Sequence, residues 1–297
     1  MKSTALQLGT KRFVWGSRTY VMGIINLTQD SFSGDGLISD GPDSEDYVEN
    51  ALKQGQAFVN AGVDILDIGG ESTRPGSVPT PAEKELERVI PVIQALAAEL
   101  DIIISVDTYK SEVAEAALQA GAHMVNDVWG FHADPHLAEV VARHAVPAIL
   151  MHNRSSWVHA EVREKLGGRY IGMAYEDLIK DVCRELLESV QIAKTTGIPD
   201  DLIILDPGIG FGKTVEQNLE LLDRLGEIRE LGYPVLLGPS RKSFIGFTLD
   251  LPPSERMEGT AASVAIGIAR GADIVRVHDV RAMVRVARMS DAIIRRR

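Results

Sequence analysis

Short apolar, β-branched runs alternate with longer amphipathic segments along the whole chain. Helical periodicity extends over residues 43–62, 81–100 and 110–122, and the short runs between such segments have strand character. This alternation predicts parallel strands that are joined by helical crossovers. The eight predicted strands begin at Tyr20, Val63, Ile102, His123, Val146, Leu202, Pro234 and Asp273.

The number of repeated units decides between two α/β architectures. Eight β/α units in a chain of 297 residues fit a (β/α)₈ TIM barrel better than an open, doubly wound sheet. No linker rich in Ser or Pro and no internal repeat divides the chain. We therefore expect one barrel domain over residues 20–297, preceded by an extension over residues 1–19 whose short hairpin caps the barrel bottom.

Polar side chains follow the predicted strands at the points where they end. The apolar run of residues 235–237, for example, is followed by Gly238 and then by Ser240, Arg241 and Lys242. Each such residue alone is equally consistent with a helix cap or a turn. Because all strand ends of a barrel meet at one face, the whole set predicts a single polar mouth. The other members are Asn26, Asp67, Glu71, Asp107, Asn126, Asp127, His152, Asn153, Asp206, Arg276 and His278.

The mouth has two chemical sides. The carboxylates and amide of Asp107, Asn126 and Asp206 suit a flat, nitrogen-rich heterocycle. Barrels often bind phosphate near strands seven and eight, where this chain has cationic side chains. The sequence therefore predicts an anion subsite beside the heterocycle, formed by Lys242, Arg276 and His278.

Three short sequence patterns have more than one possible interpretation. The stretch DPGIGFGKT from Asp206 is not a Walker A loop, since position 207 is proline, and it predicts a glycine-dense loop at the mouth. His132 and His136 make a weak zinc pair because Pro135 interrupts the helix that they would need. The polar loops that follow Asn26 and Glu71 are candidate lids.

Composition narrows the classes of partner. With 31 Lys and Arg against 42 Asp and Glu, the net charge of −11 argues against a nucleic-acid-coating protein or one held to anionic membrane. The single cysteine, Cys183, excludes an internal disulfide and a cysteine metal cage. We find no signal-peptide core and no run of about 18 apolar residues, so we expect a soluble, cytoplasmic protein.

The ordered motifs resemble those of the dihydropteroate synthase family, the folate-pathway enzymes that sulfonamides inhibit. The matching stretches run from Met22 to Val280, nearly the whole chain. The family fold is a (β/α)₈ barrel, in agreement with the strand pattern. The stretches that carry the resemblance are MGIINLTQDSFSGDG, DIGGESTRPG, SVDT, VNDV, LMH, DPGIGFGK, GPSRKSFIG and RVHDV.

The resemblance implies a transferase that condenses 6-hydroxymethyl-7,8-dihydropterin pyrophosphate with p-aminobenzoate, giving 7,8-dihydropteroate and pyrophosphate. It implies catalytic roles for Lys242, Asp107, Arg276 and His278. The implied pterin site is Asp107, Asn126, Met151, Asp206 and Lys242. The implied pyrophosphate site is Asn26, Arg276 and His278, with Mg²⁺ bound to Asn26, and the implied p-aminobenzoate pocket is Asp30, Phe32, Thr73, Arg74, Phe211 and Ser240. The family also suggests a homodimer.

Two stretches depart from the family pattern. Gln29 replaces a usual proline, which removes a fixed φ from the first lid, and Gly34 and Asp35 stand in exchanged order. After His152 the chain continues with NRSSW instead of a commoner pattern with glutamine and glycine. The sequence leaves the role of that second stretch open.

Three rival functions remain for comparison. A pterin-binding methyltransferase that acts on methyltetrahydrofolate shares the barrel but does not need the cations of SRK and RVH. A catalytically silent pterin-binding module does not need these cations either. Another phosphate-binding barrel, such as an aldolase, would require a Schiff-base lysine or a metal cage.

Overall fold

A computed structural model describes residues 4–28, 46–73, 77–155, 160–163, 165–170 and 172–296. The predicted residues Gln29, Gly34 and Asp35 of the first loop lie outside this part of the chain. The elements follow in the order β1 (Ala5–Leu8), β2 (Lys11–Val14), β3 (Tyr20–Asn26), α1 (Asp46–Ala61), β4 (Ile65–Gly69), α2 (Ala82–Glu99), β5 (Ile103–Asp107), α3 (Ser111–Ala120), β6 (Met124–Asp127), α4 (Leu137–His144), β7 (Ala148–Met151), β8 (Ala160–Arg163), β9 (Gly167–Tyr170), α5 (Leu178–Thr195), β10 (Ile203–Asp206), α6 (Val215–Asp223), α7 (Leu225–Arg229), β11 (Leu236–Leu237), α8 (Ser243–Leu249), α9 (Met257–Ala269), β12 (Ile274–Val277) and α10 (Val280–Ile294).

Eight parallel strands form a closed barrel, in the order β10, β7, β6, β5, β4, β3, β12, β11. The ends of this sheet meet where the backbone N–H of Leu205 donates to the carbonyl of Pro234 at 2.9 Å. The predicted (β/α)₈ barrel and its eight strands are therefore confirmed. Only the boundaries move slightly, as for β4, which begins at Ile65 where the sequence analysis placed Val63.

A small antiparallel hairpin of β1 and β2 closes the bottom of the barrel. Its side chains pack against apolar residues from all eight strands of the barrel. The bottom is thereby filled and hydrophobic. Whether residues 1–19 form a separate unit stays a prediction. The packed set is Leu6, Phe13, Trp15, Tyr20, Met22, Ile65, Ile103, Met124, Ile149, Ile204, Leu236 and Ile274.

The outer helices pack against the barrel through buried apolar side chains. In α2, Val89, Val92, Ile93 and Leu96 recur at helical spacing and are fully buried. Burial of each such side chain contributes about 1.5–3 kcal/mol. In the part of the chain that the structure describes, no helix is both long and apolar enough to cross a bilayer.

One element was absent from our sequence predictions. Strands β8 and β9 form an antiparallel hairpin between β7 and α5, in which Ala160 pairs with Tyr170 and Arg163 with Gly167. It packs against α8, and the guanidinium of Arg169 lies 4.2 Å from the centre of the Phe247 ring. The hairpin follows the stretch NRSSW, whose role the sequence left open.

Candidate active site

A cavity of about 450 Å³ opens at the carboxyl ends of the barrel strands. Three of the predicted site residues, Asp30, Phe32 and Arg74, lie outside the described residues. The others all line this one cavity, as expected for strand ends that converge on one barrel face. They are Asn26, Thr73, Asp107, Asn126, Met151, Asp206, Phe211, Ser240, Lys242, Arg276 and His278.

An arginine held by two carboxylates lies at the deep end of the cavity. Arg276, on β12, donates from Nε to Asp67 Oδ2 at 2.6 Å and from Nη2 to Asp107 Oδ2 at 2.5 Å. The side-chain amide of Asn126 donates to the same Asp67 oxygen at 3.0 Å. Four strands, β4, β5, β6 and β12, therefore contribute to one charge network. Such a network fixes the side-chain geometry because each member is held by at least one other.

Burial changes the proton affinity of the acids in this network. It raises the pKa of Asp107 above its usual range, although the positive charge of Arg276 opposes the shift. Burial also raises the pKa of Asp206, against the charge of Lys242. For Arg276, burial alone would lower the pKa, but Asp67 and Asp107 outweigh it and raise the pKa. The arginine is therefore permanently charged, while burial shifts the pKa of Asp107 and that of Asp206 upward.

Lys242 reaches across the cavity from the end of β11. Its ammonium donates to the carbonyl of Ile209 and lies 4.5 Å from the centre of the Phe211 ring. Burial lowers its pKa to about 8, against the attraction of Asp206. At neutral pH the lysine is charged and placed between a carboxylate and an aromatic ring.

The glycine-dense loop after β10 is held by a buried lysine that our sequence analysis left without a role. Lys213 is 2 % exposed and donates to the carbonyls of Gly208, at 2.9 Å, and of Phe211, at 3.0 Å. Its Nζ also lies 2.9 Å from His152 Nδ1. Burial lowers the pKa of Lys213 to about 7 and that of His152 to about 4. The lysine therefore fixes the loop that presents Phe211 to the cavity.

Glycine is required at position 208 of this loop. Its φ is +70°, and a Cβ there would lie 1.8 Å from the carbonyl oxygen of His152. The close approach of two backbones therefore explains this part of the DPGIGFGKT motif.

The hydroxyl of Ser240 contacts one of the predicted cationic residues of the mouth, His278. Ser240 Oγ accepts from the backbone N–H of His278 at 3.1 Å and lies 2.9 Å from its Nδ1. The next residue, Arg241, has its guanidinium paired with Asp279, with Nη2 at 2.6 Å from Oδ1. The charge of Arg241 is thus neutralised by its neighbour.

An ionic cluster anchors the base of the loop that follows β4. The ammonium of Lys110 bridges the carboxylates of Glu71 and Glu85, and the Tyr109 hydroxyl donates to Glu71 at 3.1 Å. Burial raises the pKa of Glu85, although Lys110 opposes the shift. Glu71 lines the cavity two residues before Thr73, so the cluster fixes the start of the loop that carries Thr73.

Comparison with known proteins agrees with this geometry. A model of the pterin binding enzyme family matches residues 22–278. A dihydropteroate synthase of Clostridium beijerinckii is 48 % identical over 292 residues, which are 98 % of this chain and 100 % of the relative. The solved Clostridium difficile dihydropteroate synthase, determined in the presence of pteroic acid, is 45 % identical with a TM-score of 0.85, covering 96 % of this chain and 100 % of that one.

A second solved structure carries the other ligand type. The Xanthomonas albilineans dihydropteroate synthase with 4-aminobenzoic acid is 39 % identical, with a TM-score of 0.85 over 98 % of each chain. The barrel and its charged mouth define a pterin-binding enzyme. The chain belongs to the dihydropteroate synthase family, and it is a transferase of folate biosynthesis.

Proposed function

We propose that the described cavity binds both substrates of dihydropteroate synthesis at once, the pterin at its deep end and p-aminobenzoate at its outer end. The observation that carries this proposal is the placement of buried acids, cations and an aromatic ring around one cavity of about 450 Å³. Asp107 and Phe211 represent the two ends, and Lys242 lies between them. Dihydropterin pyrophosphate and p-aminobenzoate condense there to 7,8-dihydropteroate and pyrophosphate.

The deep end supplies hydrogen-bonding partners for the pterin ring. Asp107, Asn126 and Asp206 provide acceptors and an amide, and Met151 provides an apolar surface. A buried carboxylate that accepts from ring N–H groups is strongly oriented, since charge-assisted hydrogen bonds are the stronger ones. Asp67 is fully buried beneath Arg276, and its role is to hold that arginine in place.

The cations stabilise the charge that develops when the methylene C–O bond breaks. The electron pair of that bond leaves with pyrophosphate, so negative charge grows on the phosphate oxygens and positive character grows on the pterin methylene carbon. Arg276, His278 and Lys242 face the leaving group. The acids at the deep end, Asp107 among them, stabilise the cationic pterin. The charges are already placed before the bond breaks, as efficient electrostatic catalysis requires.

The arylamine nucleophile requires positioning. Its amine is neutral near pH 7 and attacks the methylene carbon without prior deprotonation, and the new C–N bond forms before the amine proton is lost to solvent. Phe211 offers a ring face, and Thr73 and Ser240 offer hydroxyls at the same end of the cavity. The link between Ser240 and His278 couples the placement of the two substrates.

The donor set at Asn26 fits Mg²⁺ that arrives with the pyrophosphate. Mg²⁺ prefers one or two protein oxygens together with phosphate oxygens and water, and Asn26 presents one amide oxygen at the cavity wall. In the described residues, no group of three or more His, Cys, Asp or Glu forms a complete metal cage. When bound, the metal would offset charge on the departing pyrophosphate.

Exposed apolar residues support a homodimer. Helices α9 and α10 pack against each other and present large side chains to solvent, including Ile266, Met289 and Ile293 at 47 %, 62 % and 52 % exposure. Large apolar side chains that are exposed on two packed helices are consistent with a subunit interface. A second copy of the chain is the proposed partner. A cytoplasmic location stays a prediction.

The proposed function is tested by pyrophosphate release from dihydropterin pyrophosphate, with and without Mg²⁺ and p-aminobenzoate. We expect release that requires both and yields dihydropteroate in equal amount. Tight pterin binding with no release would instead favour the silent binding module, and methyl transfer from methyltetrahydrofolate would favour the methyltransferase. An Asn26→Ala variant should raise the Mg²⁺ concentration needed for half-maximal rate, and an unchanged requirement would contradict the role of Asn26.

A further inference from the structure

The loop that follows β10 holds the ammonium of Lys242. This loop spans residues 207–214, and its Gly210 and Phe211 line the substrate cavity. Lys242 Nζ donates to the carbonyl of Ile209 in the same loop. A Cβ at Gly210 would lie 3.0 Å from Lys242 Cδ, so the loop backbone also packs against the aliphatic part of the lysine. The position of the Lys242 ammonium therefore depends on the position of this loop.

A second lysine, buried in the protein interior, holds the loop on both sides of that carbonyl. Lys213 donates to the carbonyls of Gly208 and Phe211, which precede and follow Ile209 in the chain. Its third contact is with His152 Nδ1, at 2.9 Å. Three acceptors match the three N–H groups of one ammonium. Lys213 therefore fixes the segment of backbone that presents the Ile209 carbonyl to Lys242.

The contact between Lys213 and His152 requires one tautomer of the imidazole. An ammonium can only donate, so His152 Nδ1 must accept and the ring must carry its proton on Nε2. That Nε2 lies 3.0 Å from Glu185 Oε2, which can only accept when ionised. Burial and the charge of Lys213 lower the pKa of His152 to about 4, so the ring is neutral at pH 7. Glu185 therefore selects the tautomer that can bind Lys213.

The stretch after His152 connects Glu185 back to the same loop. Arg154 Nε donates to Glu185 Oε2 at 2.9 Å, and its guanidinium lies 4.2 Å from the centre of the Tyr175 ring. The Tyr175 hydroxyl donates to the carbonyl of Gly212 at 3.2 Å. Because each member is held by another, the network is rigid. Arg154 belongs to the stretch NRSSW, whose role the sequence left open.

We propose that Lys213, His152 and Glu185 are positioning residues for Lys242, which they serve by holding the Ile209 carbonyl in place. This assignment rests on the proposed function, in which Lys242 is a cation that faces the leaving group. Electrostatic stabilisation of a leaving group requires charges that are placed before the bond breaks, and such placement depends on the residues behind the site. The three residues therefore affect the rate through the placement of one ammonium.

A double-variant cycle tests whether Lys213 acts through Lys242. Lys213→Met keeps the size of the side chain, removes its donors and should lower kcat, measured at saturating concentrations of both substrates, about fivefold. Once Lys242 is replaced by alanine, the loss of Lys213 should matter little, so Lys213→Met/Lys242→Ala should match Lys242→Ala within about twofold. A further fivefold loss in the double variant would overturn the proposal, as would an unchanged kcat in Lys213→Met.

Two variants of Glu185 test the role of the imidazole tautomer. Glu185→Ala removes the acceptor for His152 Nε2 and should also lower kcat about fivefold, whereas Glu185→Gln keeps an acceptor oxygen and should remain within about twofold of wild type. Equal losses in both variants, or no loss in either, would overturn the role of Glu185. If Lys213→Met does not fold, Glu185→Ala replaces it in the cycle with Lys242→Ala, since the Glu185 side chain is partly exposed.

A matched control lies on the same helix. Glu188 follows Glu185 in α5, is 56 % exposed and lies 3.8 Å from its nearest cation, Arg184, so Glu188→Ala should change kcat by no more than about twofold. Absence of product formation by the wild-type enzyme, or a normal rate in Lys242→Ala, would contradict the proposed function itself. A slow Lys242→Ala variant combined with additive losses in the cycle would contradict the positioning role alone.

Discussion

The two ends of the cavity are built on different parts of the fold. At the deep end, charged side chains stand on barrel strands and hold one another, as Arg276 does with Asp67 and Asp107. At the outer end, Phe211 and Leu166 stand on a loop and a hairpin, whose positions depend on Lys213 and Arg256. In both places a buried cation sets the geometry. At the deep end it is balanced by acids, whereas at the outer end it bonds mainly to backbone carbonyls.

This difference predicts where substitutions act. Loss of a strand-borne cation leaves buried carboxylates without a partner and affects stability and catalysis together. Loss of a loop-borne contact affects the placement of one substrate. The four predictions below test this division, beginning with the largest effect.

Arg276→Met should be the most damaging substitution. It leaves Asp67 and Asp107 buried without their cation, and breaking such a pair costs about 3–5 kcal/mol. Urea unfolding at pH 7 measures the loss. As a control, Arg270→Met removes an exposed pair with Asp223 and should cost about 0–1 kcal/mol. Similar losses in the two variants would remove the distinction between buried and exposed networks.

Lys242→Ala should lower kcat by about 10² or more, because a preorganised cation is removed from the place where charge develops. The chain should remain folded, since the contacts of the lysine with Ile209 and Phe211 lie at the cavity surface. Steady-state kinetics of the folded variant measures the effect. A rate within about threefold of wild type would exclude Lys242 from the electrostatic role.

The pH dependence of the reaction should also report on Lys242. Its pKa of about 8 means that the ammonium is present below that pH and lost above it. The value of kcat/KM, which reports on the free enzyme, should therefore fall about fivefold between pH 8 and pH 9. Lys242→Arg keeps its charge and should lack this fall. A decline of equal steepness in both proteins would assign it to another group.

Lys213→Met should show the smallest effect, visible in stability against pH. The folded pKa of Lys213 is lowered to about 7, so above that pH the unfolded chain binds more protons than the folded one. Wild-type stability relative to the variant should then rise by about 1 kcal/mol between pH 7 and pH 8. A constant difference across this range would mean that the buried lysine keeps its proton.

The deep end of the cavity, whose side chains stand on barrel strands, could be predicted from the sequence because the pattern that indicates it is local. Short apolar runs followed by Asp107, Asn126 and Asp206 identify both the strand and the direction of the next side chains. The barrel topology then brings residues far apart in sequence, such as Asp107 and Arg276, to one place. No local spacing indicates which two of them pair.

The outer end of the cavity, whose side chains stand on a loop and a hairpin, could be predicted less well from the sequence. The hairpin after His152 has weak alternation, and two adjacent glycines at its second strand obscure the strand pattern. The sequence analysis predicted a glycine-dense loop at the mouth but gave no role to Lys213 within it, and the ammonium of Lys213 is directed into the protein towards carbonyls. The Arg256 guanidinium, which holds the Leu166 carbonyl, needs the space that Gly246 leaves free. Only the tertiary packing reveals this requirement.

The most direct test of the divided cavity compares the KM of each substrate in two variants. Asp206→Asn, at the deep end, should raise the KM for dihydropterin pyrophosphate about tenfold or more and leave that for p-aminobenzoate within about threefold. Phe211→Ala, at the outer end, should do the reverse, through loss of an aromatic surface. Crossed effects of this kind are what the account predicts. Equal weakening of both substrates in both variants would contradict it.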